Sequence, residues 1–175
     1  MEIKMIRYLI YIVLSLTLTS CASFNAPLDY RLDEKSNRGL VVFSFTTEGI
    51  LENFFLQYQN EDGTEKGDVT LWTNRNPLDW ASKEKGRLVI LELPQGKYDI
   101  FRLVAPLQVS SKDRFSIPFE VTSGKVAYLG NVHIRIPDQG NFTYVLRDKS
   151  ERDLEMLFSR YTKISKDDLI KIIKE

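Results

Sequence analysis

Few side chains in this sequence could do covalent chemistry, and they fall into no reactive pattern. Among 175 residues there is one cysteine, Cys21, and one histidine, His133. A lone cysteine cannot close an internal disulfide or build a CxxC zinc site, and a lone histidine removes His-pair metal sites. A Ser-His-Asp relay would have to run through His133 alone, and neither a GxSxG elbow nor an HExxH pair accompanies it. His133 is expected at an exposed or edge position, on the strand face opposite Val132 and Ile134. No catalytic residue, metal ligand or cofactor is assigned, and an enzyme is not expected. What remains for Cys21 is the nucleophilicity of its thiol toward a group supplied from outside.

Binding chemistry is denser in one loop. The segment WTNRNPLDWASKEKGR, residues 72–87, sets Trp72 and Trp80 around Arg75, Asn76 and Asp79. Rigid aromatic rings bury a large area at little entropic cost, and Arg adds a planar set of donors, so this mixture suits a partner-binding surface. The competing reading is that both tryptophans close one end of a core, since Trp is well buried on average.

Composition narrows the classes further. The chain is 43% hydrophobic and 27% charged, as for a globular domain, and its length fits one compact domain. Formal charge is +0, with no run of Lys and Arg long enough to follow a phosphate backbone, which argues against a nucleic-acid partner.

The first twenty residues have a different character. MEIKMIR carries Lys4 and Arg7, and Tyr8 to Leu18 is an apolar run of eleven residues. About 20 apolar residues are needed to cross a bilayer core, so the run reads as a signal peptide. Removing residues 1–20 takes away Lys4 and Arg7 against Glu2 and leaves the remainder near −1. The sequence that follows, Leu18-Thr19-Ser20-Cys21, resembles the lipobox of bacterial lipoproteins. That resemblance implies cleavage before Cys21, a diacylglyceryl thioether on its sulfur and acylation of its new α-amino group. Two or three acyl chains, at about 0.8 kcal/mol per buried methylene, hold a protein stably on a membrane without spanning it. Ala22 follows the cysteine where Asp marks inner-membrane retention in enteric-type bacteria, so the resemblance implies the outer membrane, facing the periplasm.

The elements behind the anchor read as mainly β. Residues 21–38 are polar and aperiodic, as in a flexible tether, and a coil of about 17 residues spans about 20–25 Å. From residue 39 to 149, eight short segments alternate apolar and polar residues between turn signals, as in a sandwich or barrel. LVVFSFTT puts Val41, Phe43 and Phe45 on one face. Hairpin turns are expected at Asp62-Gly63, at Pro94-Gln95-Gly96 and at Ser123-Gly124. Val126, Tyr128, Val132, Ile134 and Ile136 are expected on one face, with Gly130 as a bulge. Over residues 150–175 the period becomes helical. Ser150 and Asp153 resemble a capping box ahead of Leu154, Leu157, Phe158 and Tyr161. Ser165 is expected to cap a second short helix carrying Leu169, Ile172 and Ile173.

The LPQGKYDIF turn, the GKVAYLGNVHI strand and Glu151-Arg152-Asp153 together resemble small bacterial lipoproteins with a prealbumin-like or carboxypeptidase-regulatory-like β-sandwich. The resemblance covers about Leu88 to Tyr161 and implies an antiparallel, Ig-like sandwich with two C-terminal helices packed on it. Its motifs are structural and transfer no active site. The expected role is a binding or structural module of the envelope, attached through Cys21, with another envelope protein or a glycan as partner. The alternative is a carrier of a lipid or other amphiphile in a β-barrel cavity, which packing by Phe43, Phe45, Tyr98 and Phe101 would exclude.

Overall fold

A computed structural model describes residues 25–49, 54–71, 78–81, 85–104, 115–136 and 142–173. The strands are β1 (Arg38–Gly49), β2 (Phe54–Asn60), β3 (Lys66–Leu71), β4 (Asp79–Ala81), β5 (Lys85–Pro94), β6 (Gly96–Val104), β7 (Ile117–Val121), β8 (Val126–Ile136), β9 (Thr143–Arg147) and β10 (Leu169–Lys171). Among the described residues one helix, α1 (Ser150–Arg160), precedes a 3-10 turn at Lys166–Asp168. The strands form two sheets. The larger runs β10-β8-β1-β5-β4 with β9 also on β8, and the smaller runs β3-β2-β6-β7.

Alternation along β1 builds the molecule in three layers. Val41, Phe43 and Phe45 point into the sandwich, where they meet Leu56, Tyr98, Ile100, Leu103, Ile117 and Phe119 of the smaller sheet. Their neighbours Leu40 and Val42 point the other way and pack under α1 with Ile90, Tyr128, Leu157 and Tyr161. The fold is therefore a mainly β sandwich with a helix on the outer face of its larger sheet. Phe43, Phe45 and Tyr98 fill the space between the sheets, whereas Phe101 lies half-buried outside that core.

Two connections differ from the expected ones. Pro94-Gln95-Gly96 does not join paired strands: Pro94 pairs with Arg38 in the larger sheet and Gly96 with Val121 in the smaller. Ser123-Gly124 likewise carries the chain from β7 back across to β8, so both turns are corners between layers. Turn chemistry signals reversal, and the same Pro and Gly geometry serves a sheet-to-sheet corner as well as a hairpin. Asp62-Gly63 does turn within a hairpin, β2 to β3. The pairing of β1 with β8 is parallel, which no local turn announces.

Gly130 supplies the bulge, and the bulge changes the faces. Its φ of +92 suits glycine, and the β1–β8 register shifts between Val42↔Tyr128 and Ser44↔Asn131. Val126 and Tyr128 therefore face α1, while Leu129, Val132 and Ile134 face the sandwich. The expected single row is split. His133 moves to the helix side and is buried, with 1% exposure, in place of the open position assigned to it.

At the C-terminus, α1 forms with Leu157 and Tyr161 buried as the spacing predicts. The expected capping box does not form: the N-cap is Lys149, whose side chain has no acceptor, Asp148 Oδ1 takes the Ser150 N–H at 2.7 Å, and the Asp153 carboxylate is turned inward. Ser165 does act as a cap, accepting from the Asp167 N–H at 3.2 Å, but the second helix ends after that one turn. Leu169–Lys171 continue as β10, parallel to Val126–Tyr128. A free edge on β8 offers the extended chain more hydrogen bonds than a short isolated helix can make.

The polar stretch before β1 also docks from residue 25 onward. The Ala26 N–H donates to the Ile90 carbonyl (2.8 Å), the Ile90 N–H donates to Asn25 Oδ1 (2.9 Å), and the Tyr161 hydroxyl donates to the Ala26 carbonyl (2.7 Å). Tyr30 and Leu32 pack against the helix-side core. Scattered apolar residues, with no period of their own, make this stretch a strap where a flexible coil was expected.

Candidate functional site

Of the residues assigned to partner binding, Asp79 and Trp80 fall among the described ones, and they do different things. Asp79 begins β4 and turns inward. Its carboxylate receives both Nε and Nη2 of Arg87, at 2.5 and 3.1 Å, and Arg87 Nη1 donates to the Thr70 carbonyl at 2.7 Å. Since Thr70 lies on β3, this buried ion pair ties the two sheets at one end of the sandwich. Truncating one member of such a pair costs about 3–5 kcal/mol because the other charge stays buried. Asp79 is thereby a structural residue. Cys21, Trp72, Arg75 and Asn76 lie outside the described residues.

Trp80 faces the helix side. Its indole covers Gly86, where an added Cβ would come within 2.3 Å of the ring and 2.7 Å of Thr46 Cγ2. The Arg152 guanidinium stacks above it, 4.4 Å from the ring centre. The half-buried ring is thus one wall of a polar seam between the larger sheet and α1.

That seam joins Tyr128, His133, Arg152 and Asp153, which the sequence analysis named in other roles, to Ser44, Thr46 and Asn131, which it did not single out. The Asp153 carboxylate, 1% exposed, accepts from Ser44 Oγ and from the Tyr128 hydroxyl, each at 2.7 Å, and from Arg152 Nε at 2.8 Å. Asn131 Nδ2 donates to Ser44 Oγ (2.8 Å) and lies 3.1 Å from Thr46 Oγ1. Thr46 Oγ1 and His133 Nδ1 are hydrogen-bonded at 2.9 Å. His133 Nε2 lies 3.7 Å from Glu48, which also pairs with Arg135 at 3.2 Å. Burial and the adjacent Asp153 charge push the Tyr128 hydroxyl far above its ordinary range, so it stays a donor.

Ser, His and Asp therefore meet in one place, wired in an order that does not support acyl transfer. A relay needs the acid on the imidazole and the imidazole on the hydroxyl. Here Asp153 bonds Ser44 directly, His133 bonds Thr46, and Ser44 is fully buried. The arrangement can lock β1, β8 and α1 together; it presents no nucleophile to a substrate. Groups of three or more metal-ligating side chains do not occur among the described residues.

Two surface depressions lie among the described residues. One of about 610 Å3 lies between α1 and the 3-10 turn, lined by Leu154, Phe158 and Leu169 with Glu151 and Lys166. Another, of about 710 Å3, lies at the side of the sandwich between β7 and β9. No helix among the described residues is long and apolar enough to cross a membrane.

Comparison with known proteins adds little to this geometry. No protein-family model matches the chain, and no curated protein matches it. Among solved structures, it is similar to a leucine-rich repeat protein from Bacteroides thetaiotaomicron, with 15% identity and a TM-score of 0.32. That likeness covers 70% of this chain and 16% of the other, and at such a score it carries no argument.

Proposed function

We propose that this chain is a lipoprotein of the bacterial envelope, anchored through Cys21 to the outer membrane and facing the periplasm, whose sandwich is a non-enzymatic binding module. The observation that carries the reading is Leu18-Thr19-Ser20-Cys21 at the end of an eleven-residue apolar run with Lys4 and Arg7 ahead of it. Asn25 and Ala26, four and five residues beyond the cysteine, are hydrogen-bonded to Ile90, which puts the sandwich close behind the proposed anchor. The filled interior favours a module that binds at its surface, to another envelope protein or a glycan.

Intact mass of the protein from a membrane fraction tests the anchor. The expected species begins at Cys21 and carries a diacylglyceryl group plus an amide-linked acyl chain, and Cys21→Ala releases the protein from the membrane. An unmodified Cys21 in that fraction overturns the reading. Photo-crosslinking from position 80 then tests whether the Trp80 surface meets a partner.

A further inference from the structure

The edges of the two sheets are guarded unequally. Unpaired edge strands are ordinarily protected by charge, proline or shortness. In the smaller sheet, β3 carries Lys66 and Asp68, and β7 exposes Pro118 and Glu120. In the larger sheet, β4 and β10 are three residues each. β9 has none of these devices across its centre: Tyr144, Val145 and Leu146 are 40%, 46% and 40% exposed, and among the described strands it pairs only with β8. Its far edge borders the 710 Å3 groove, whose floor includes Phe119, Leu129 and Ile172.

The charge around that groove is one-sided. Its charged lining residues are Glu61, Asp99 and Glu120 against Lys97 alone. Ser116 Oγ donates to both oxygens of the Asp99 carboxylate, at 3.0 and 2.9 Å, and holds it in place. An apolar floor, an acidic rim and an open strand edge together specify an occupant. The main chain of an incoming strand satisfies the edge, apolar side chains fill the floor and cationic ones reach the rim.

We propose that the groove between β7 and β9 binds an extended segment of another protein, alternating apolar residues with Lys or Arg, which adds to β9 as a further strand. The proposal deepens the binding-module reading and rests on it for the existence of a partner. A second copy of this chain fits less well. Two five-residue strands, each about 17 Å long, bury far less than the roughly 1,200 Å2 of a stable interface, and the pairing would bring two acidic rims together.

The test uses the full chain in detergent micelles and two fluorescent eight-residue peptides, one alternating Val and Lys and one alternating Val and Glu, titrated by anisotropy. The Val/Lys peptide is expected to bind at least tenfold more tightly. Glu120→Lys, a change at an exposed position, should narrow that preference at least fivefold. Val145→Pro should abolish binding, and Leu146→Lys, which restores a guard charge, serves the same purpose if the proline variant does not fold. Equal affinity for the two peptides, binding of neither, or binding indifferent to the β9 variants overturns the proposal. Dimers in sedimentation that Leu146→Lys dissolves overturn it in favour of a second copy. Because these measurements do not depend on the lipid, their failure leaves the anchor reading standing, and an unmodified Cys21 leaves the groove result standing.

Discussion

The two faces of the larger sheet solve different problems with the same strands. Phe45 and Thr46 are neighbours on β1, both fully buried, yet one belongs to the apolar cluster of the sandwich while the other sits in a line of hydroxyl, amide, imidazole and carboxylate groups. The sandwich face gains stability by area, and apolar contact is indifferent to direction. The helix face gains less per residue but imposes geometry, since each buried donor must find its acceptor. The contrast teaches that the sandwich is held by its interior, whereas the seating of α1 is fixed by Asp153.

That division can be broken from either side. The largest effect is expected from Phe45→Ala, which opens a cavity in the sandwich and should cost about 3–5 kcal/mol in urea denaturation. Asp153→Asn removes a charged acceptor from Ser44, Tyr128 and Arg152. It should cost about 2–3 kcal/mol, with altered emission from Trp80 as Arg152 loses its anchor. Retention of wild-type stability in Asp153→Asn would show that the seam is filler. Tyr161→Phe deletes one bond to the Ala26 carbonyl and should cost about 1 kcal/mol, while amide exchange at Ala26 accelerates.

The smallest effect is a pH dependence on the strap. Burial and the Glu92 carboxylate push the Tyr30 hydroxyl from 10.0 up to about 12. The folded pKa lies above the unfolded one, so this contribution is complete below pH 10 and is lost as pH rises from 10 through 12. Melting temperatures should fall across that window, and Tyr30→Phe should flatten the fall. An unchanged slope in the variant would remove Tyr30 as its source.

Most of the strands were legible because alternation is local: Val41, Phe43 and Phe45 share a face in the sequence and in the fold. What could not be read depends on partners far along the chain. The bulge at Gly130 reverses the alternation midway through β8, so a correct reading of each half still placed Val126 and Val132 on one side when they lie on two. Leu169, Ile172 and Ile173 carry helical spacing, but an open edge on β8 took part of that segment as strand. The polar seam was invisible for the same reason. Ser44, Thr46 and Asn131 are ordinary residues until a parallel pairing across more than eighty positions sets them side by side. Asp79 was read as part of a binding loop because its partner Arg87, though near in sequence, gives no sign that both side chains are buried.

The clasp formed by Asn25, Ala26 and Ile90 bears on the proposed anchor at Cys21, because it sets how far the sandwich can stand from it. If Cys21 carries the proposed lipid, only four residues of chain separate it from the Asn25 contact, a reach of at most about 14 Å against the 20–25 Å span of a 17-residue coil. A domain on so short a leash patrols a thin layer against the bilayer. Partners anchored in the same leaflet then meet it at high effective concentration, and those in open solution gain no such advantage.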